Sequence, residues 1–184
     1  PSCGAPIAAE SEDEVFYCTA CRNGYVFDPA GQRLQPIDVG FVLAPQQAVS
    51  RYLPFWVLPA RARLLQHSQR AIEQGPTLFG AEQGTFAIPA YATPIERARE
   101  LALRYTREFP RLGERLGERL TGGRCGVMDA QKLAEFVLVY AEAAGSGTLT
   151  ELRYELRFGP ARLLGVPFVG EPGSFVDAHF GLLA

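Results

Sequence analysis

The sequence predicts an α+β fold: a small cysteine-bearing module over residues 1–36, then an antiparallel or mixed β-sheet domain over residues 37–184 packed with two main helices. Three observations lead there. Three of the four cysteines, Cys3, Cys18 and Cys21, fall within the first stretch of the chain. Leu152, Tyr154, Leu156 and Phe158 alternate with Arg153, Glu155 and Arg157, the period-two signature of a half-exposed strand. Pro94 and Asp129 each open a stretch whose apolar residues recur at helical spacing. With 184 residues, 47% of them apolar, the chain can bury one ordinary core and carry a small appended unit.

In chain order, the β-prone run Val15-Phe16-Tyr17 follows the acidic stretch Glu10-Ser11-Glu12-Asp13-Glu14 and ends on Cys18. Asn23-Gly24 reads as a hairpin turn, Tyr25-Val26-Phe27 as the returning strand, and Asp28-Pro29-Ala30-Gly31 as a second turn. Val39 to Leu43 reads as a strand, Pro45 to Arg51 as a short helix, and Tyr52 to Leu58 as an apolar strand. Arg61 to Gln74, closed by Gly75-Pro76, is expected to be helical; the alternative continues the strand through Ala60, Ala62 and Leu64. Thr85 to Tyr91 is another strand. Thr93-Pro94-Ile95-Glu96 predicts a capping box opening a helix to about Phe109.

Leu112, Leu116 and Leu120 form a stripe beside Gly113 and Gly117, read as a mobile or partner-ordered segment. Asp129 is expected to cap a helix over Ala130–Ala144 that Gly145-Ser146-Gly147 ends. Leu163 to Val169 and Ser174 to Phe180 complete the strands.

The cysteines carry the chemistry. Cys18-Thr19-Ala20-Cys21 is a C-x2-C turn, whose two thiolates can reach one metal ion without bonding to each other. A thioredoxin-like redox pair would need Cys18 at a helix N-terminus, and Arg22-Asn23-Gly24-Tyr25 reads as a turn instead. Through Cys3-Gly4, Cys18-Thr19-Ala20-Cys21 and Gly24, roughly the first 35 residues resemble the zinc-ribbon family, including the rubredoxin-like ribbons. The resemblance implies a structural Zn²⁺ held by Cys3, Cys18 and Cys21, and a binding role. The family's first cysteine would stand immediately before Pro1, and its absence leaves the fourth ligand open; Cys125 is the other thiolate considered.

Composition narrows the remaining classes. A net charge of −2 and a pI near 5.8 supply no field for nucleic acid or anionic membrane. Eight arginines lie between Arg97 and Arg124, but Glu96, Glu100, Glu108, Glu114 and Glu118 interleave with them as on a solvated helix face. No phosphate loop, dinucleotide fingerprint or H-E-x-x-H motif occurs. No apolar run is long enough for a spanning helix. C-x2-C usage points to a reducing compartment, for which a bacterial-type cytoplasm is the default expectation.

The leading expectation is a non-catalytic accessory or adaptor protein docking to a larger protein assembly. That assembly could stand at the inner face of a membrane, with peripheral association left open. Tyr52, Phe55 and Trp56 are the expected partner contacts, read as an aromatic surface. One alternative is a nucleic-acid-associated zinc-ribbon protein of transcription or RNA processing. A second is a hydrolase using Asp177 and His179, two apart on an expected strand, with Ser174 nearby; Gly173-Ser174-Phe175 lacks the nucleophile elbow such an enzyme needs.

Overall fold

The computed structural model describes every residue except 2, 29, 46–48, 69–71, 73–74, 114–119, 145–148 and 172. The expected short helix at 45–51, most of the 112–120 leucine stripe, Pro29 of the second turn and the Gly145-Ser146-Gly147 stop therefore lie outside the described residues, wholly or in part. The rest is α+β: two helices, a three-stranded antiparallel sheet and a mixed seven-stranded sheet.

The small sheet comprises β1 (Val15–Cys18), β2 (Asn23–Asp28) and β3 (Arg33–Ile37), paired in that order. The large sheet is organised around β5 (Arg51–His67), a strand of 17 residues. On one edge β5 pairs antiparallel with β6 (Gln83–Pro89). Along the other edge lie β8 (Leu152–Phe158) and β9 (Arg162–Val169), end to end, β9 against residues 51–57 and β8 against 60–67. Beyond β9 come β4 (Val39–Val42), parallel to it, then β7 (Leu112–Gly113), with β10 (Val176–Asp177) on the same edge.

The strand alternative for residues 61–67 is the one adopted, in place of the first half of the helix expected over Arg61–Gln74; residues 69–71 and 73–74 of that span lie outside the described residues. Ala60, Ala62 and Leu64 are buried while Arg61, Arg63 and Leu65 are exposed, so the period is two. Pro54 and Pro59 inside β5 are tolerated because each faces a break in a neighbour. The carbonyl and N–H sides of one strand residue point the same way. The Pro54 carbonyl accepts from Ala90 just past the end of β6, and the Pro59 carbonyl accepts from Gly159 in the gap between β8 and β9. Each missing N–H thus falls where no ladder partner waits.

Helix α1 (Ile95–Arg107) packs on β6, and α2 (Val127–Ala144) lies across β5, β6 and β8. Both expected helices form. The Thr93 capping box does not: Pro94 is extended, with ψ of 143°, the helix starts one residue later, and the buried Thr93 hydroxyl makes no cap. Asp129 falls in the first turn of α2, where it pairs with Lys132, because the helix begins at Val127 with Gly126 accepting its first bond.

Two apolar clusters cover the two faces of β5. Tyr52, Trp56 and Leu58 pack with Ala134, Leu138 and Ala141 of α2; Leu53, Phe55 and Val57 pack with Leu101 and Tyr105 of α1 and with Phe175. The first cluster also takes in Val15 and Tyr17 of the small sheet, with Tyr17, Phe41 and Tyr52 stacked edge to face in sequence. The small sheet is further tied down at Gly123, which donates to the Val15 carbonyl and accepts from the Glu14 and Val15 amides.

A methyl group on Gly123 would stand 2.6 Å from the Ala90 carbonyl oxygen. Gly123→Ala is accordingly expected to cost about 2 kcal/mol, since backbone on both sides has to move. Scanning calorimetry should find the melting temperature lowered by about 6 °C.

Candidate metal centre

The sulfur atoms of Cys3, Cys18 and Cys21 all lie within 4.8 Å of one another, and Cys3 Sγ is 3.6 Å from Cys18 Sγ. Two tight turns bring them together. In the first, the Gly4 amide donates to the Pro1 carbonyl and Gly4 takes a φ of 72°, which glycine adopts without strain. In the second, Cys18 closes β1, the chain turns over Thr19 and Ala20, and the Arg22 amide donates back to the Cys18 carbonyl at 2.7 Å.

The left-handed residue of this second turn is Arg22, with φ of 56°, and not the Asn23-Gly24 pair, which already belongs to β2. Gly24 has a different task. A Cβ there would sit 2.4 Å from Val39 Cγ2, so glycine allows the small sheet to close against β4.

Cys18 is buried, Cys21 partly so, and Cys3 exposed. The Tyr25 hydroxyl lies 3.5 Å from Cys21 Sγ. That hydroxyl, assisted against the cost of burial by hydrogen bonds from the other two cysteines, lowers the Cys21 thiol to about 7. At Cys3 the Ala5 amide pulls the thiol down, but burial and the two neighbouring sulfurs outweigh it, and the thiol stands above its ordinary value. The cluster therefore holds protons that a divalent cation would displace.

Tetrahedral thiolates around Zn²⁺ at about 2.3 Å stand about 3.8 Å apart, close to the Cys3–Cys18 separation. Three soft sulfur donors with one side open to solvent fit a thiophilic metal ion.

Tyr25 was not foreseen as part of the site. Its place follows from hairpin register, since it is the third residue of β2 and pairs with Phe16 of β1. Removing its hydroxyl tests its effect. In metal-free protein at pH 7, Tyr25→Phe should let the Cys21 thiol rise toward about 8.5 and reduce its thiolate fraction. The rate of alkylation by iodoacetamide at Cys21 is expected to fall about threefold, because the lost thiolate outweighs its gain in intrinsic nucleophilicity.

The other expected site residues lie elsewhere. Cys125 is not part of the sulfur cluster; it packs against the first apolar cluster, its burial pushes the thiol up to about 11, and its carbonyl accepts from the Trp56 indole. Tyr52, Phe55 and Trp56 are at most 2% exposed. This corrects their reading as a contact surface: β5 is central and covered on both faces, so its aromatic side chains are core.

Asp177 and His179 do not share a strand face either. Only Val176–Asp177 is extended, the chain then turns, and Asp177 Oδ1 accepts the backbone N–H of His179 while the imidazole is exposed. Ser174 bonds to the Glu171 carbonyl. His67, within the span expected to be helical, is on β5 with its side chain buried 3.5 Å from Glu142. The acidic loop is held by Arg124, which bridges Glu10 and Glu12.

Among the described residues no helix is long and apolar enough to cross a membrane. Comparison with protein-family models, with curated proteins and with solved structures finds no match.

Proposed function

We propose that this protein is a non-catalytic accessory protein whose N-terminal segment is a zinc ribbon and which docks to a larger protein assembly in a reducing compartment. The convergence of the Cys3, Cys18 and Cys21 sulfurs carries the reading. Zinc is the ion that a convergent thiolate set at this spacing commonly holds, and it would make the small sheet a rigid platform. The fourth position falls to a donor outside these three residues.

With Tyr52, Phe55 and Trp56 in the core, the docking contact is reassigned to the ribbon itself. Phe27 on β2 is 47% exposed, an unusual position for a large aromatic side chain on so small a sheet. The nucleic-acid reading draws less support, because the loop beside the metal carries Glu10, Glu12, Asp13 and Glu14 and its nearest arginine is already neutralised.

Elemental analysis of the full chain purified without chelator tests the metal, with about one zinc per chain expected. Capture of a partner from the native host by the wild-type chain, lost with Phe27→Ala, tests the docking. Absence of bound metal, or a partner retained equally by Phe27→Ala and Cys18→Ser, would overturn the reading.

A further inference from the structure

Strand β8 (Leu152–Phe158) leaves one edge of the large sheet open: among the described residues it pairs only with β5, over residues 60–67. At its two ends the Ser68 amide donates to the Glu151 carbonyl and the Gly159 amide to the Pro59 carbonyl. The backbone groups of Glu151, Arg153, Glu155 and Arg157 therefore turn toward β5, and those of Leu152, Tyr154, Leu156 and Phe158 point away from it. No residue of 151–158 is buried. The far edge, on β6, is closed differently, since the Ala87 amide there donates to the buried Thr106 hydroxyl of α1 at 3.1 Å.

An unpaired strand edge is a template for another strand. We propose that two copies of this chain pair through β8, antiparallel about a two-fold axis at Tyr154, into one continuous sheet. The strand is self-complementary in that register, which is what selects a second copy as its occupant. Glu151 stands opposite the partner's Arg157, Leu152 opposite the partner's Leu156, Arg153 opposite the partner's Glu155, and Tyr154 opposite the partner's Tyr154. Every charge meets its opposite on one face and every apolar side chain meets an apolar one on the other. Moving the axis one residue to Glu155 sets that carboxylate against the partner's Glu155 and Arg153 against the partner's Arg157. Moving it to Leu156 brings Pro160, which has no N–H to give, into the new ladder.

Two features of the single chain agree with this register. Glu151, Arg153, Glu155 and Arg157 make no ion pair among the described residues, and Arg157 lies opposite a like charge, Arg61, on β5. The partner's Glu151 relieves that juxtaposition. On the other face Tyr154, Leu156 and Phe158 pack at the rim of the first apolar cluster and stay half-buried, so pairing extends that cluster across the axis. A contact of this symmetry closes at two copies and leaves no further edge of β8 to propagate.

Sedimentation velocity on the full chain, loaded from about 1 to about 300 μM, the range in which a small interface exchanges, should show a monomer–dimer equilibrium. Arg153→Glu places like charges at two symmetry-related positions and should raise the dissociation constant about tenfold or more; Glu155→Arg should do the same. Both side chains are exposed, and both variants should melt close to wild type. Mixing the two variants in equal amounts should restore dimers, because every cross-strand pair between them is again opposite in sign. Native mass spectrometry should then find the heterodimer in excess of either homodimer, a recovery that misfolded chains would not give. A wild-type chain that stays monomeric throughout the range would overturn the proposal. So would Arg153→Glu dimerising as tightly as wild type, or a mixture of the two variants that remains monomeric.

Discussion

Cys18→Ser is expected to empty the metal centre and to loosen the small sheet while leaving the large one folded. Serine preserves the size of the side chain, but its hydroxyl does not ionise near neutral pH and is a poor ligand for a thiophilic cation. Cys18 is the deepest of the three candidate ligands, at 1% exposed, and it also terminates β1 opposite Asn23. Loss of its thiolate therefore removes the donor around which the two turns are arranged. Free energy of metal binding is free energy of local folding wherever the site does not persist without the ion.

We expect a loss of about 3 kcal/mol or more for the small sheet, as part of a metal-binding free energy several times larger. Hydrogen exchange should localise it. Amides of β1 and β2 should exchange faster in the variant and in chelator-treated wild type, whereas those of β5 and β9 should not change. The large sheet is insulated because most of its core is filled by α1, α2 and its own strands, to which the small sheet adds Val15 and Tyr17, with Val26 and Ile37 packed against that core. A variant that retains wild-type metal content, or whose β1 and β2 amides exchange as before, would remove the metal centre from this account.

Much of this architecture can be read from residue patterns, and the exceptions share a cause. The strand Leu152–Phe158 is announced by clean alternation because one of its faces is open. The helix at 95–107 is announced by Pro94 and by a strongly one-sided apolar stripe. Strand β5 is harder, because its first half is buried on both faces and shows no period, and its second half alternates arginine with alanine, a composition helices also favour. The cysteine cluster is visible because thiolates at C-x2-C spacing have few other uses. Tyr25, Gly123 and Arg124 are not, since each acts through pairing across the fold: Tyr25 by hairpin register, Gly123 by backbone approach to β1, Arg124 by reaching Glu10 and Glu12 across more than a hundred residues. The C-terminal segment misleads for a related reason: a side chain there replaces the backbone partners of a strand.

That side chain is Asp177, and Asp177→Ala is expected to be among the most destabilising single changes outside the apolar core. The carboxylate is buried and accepts from the Tyr105 hydroxyl at 2.8 Å and from the amides of His179, Phe180 and Leu182 at 3.1, 2.8 and 2.6 Å. These four donors wrap the last residues around one acceptor and fix Phe180 edge-on against Tyr105 and Leu182 against the second apolar cluster. Alanine would strand all four donors, of which the buried Tyr105 hydroxyl has the least access to water. The expected cost is about 4 kcal/mol, less than four separate bonds would sum to because the segment can relax toward solvent. Melting should fall by about 10 °C. Tyr105→Phe removes one donor along with its need for the carboxylate and should cost about 1 kcal/mol. His179→Ala, at an exposed side chain whose backbone alone is engaged, should lie within about 0.5 kcal/mol of wild type. This order separates a carboxylate that organises the chain end from one held ready to activate an imidazole, for which His179 and Asp177 would matter together to turnover and neither strongly to melting. A melting temperature unmoved by Asp177→Ala would exclude the first arrangement.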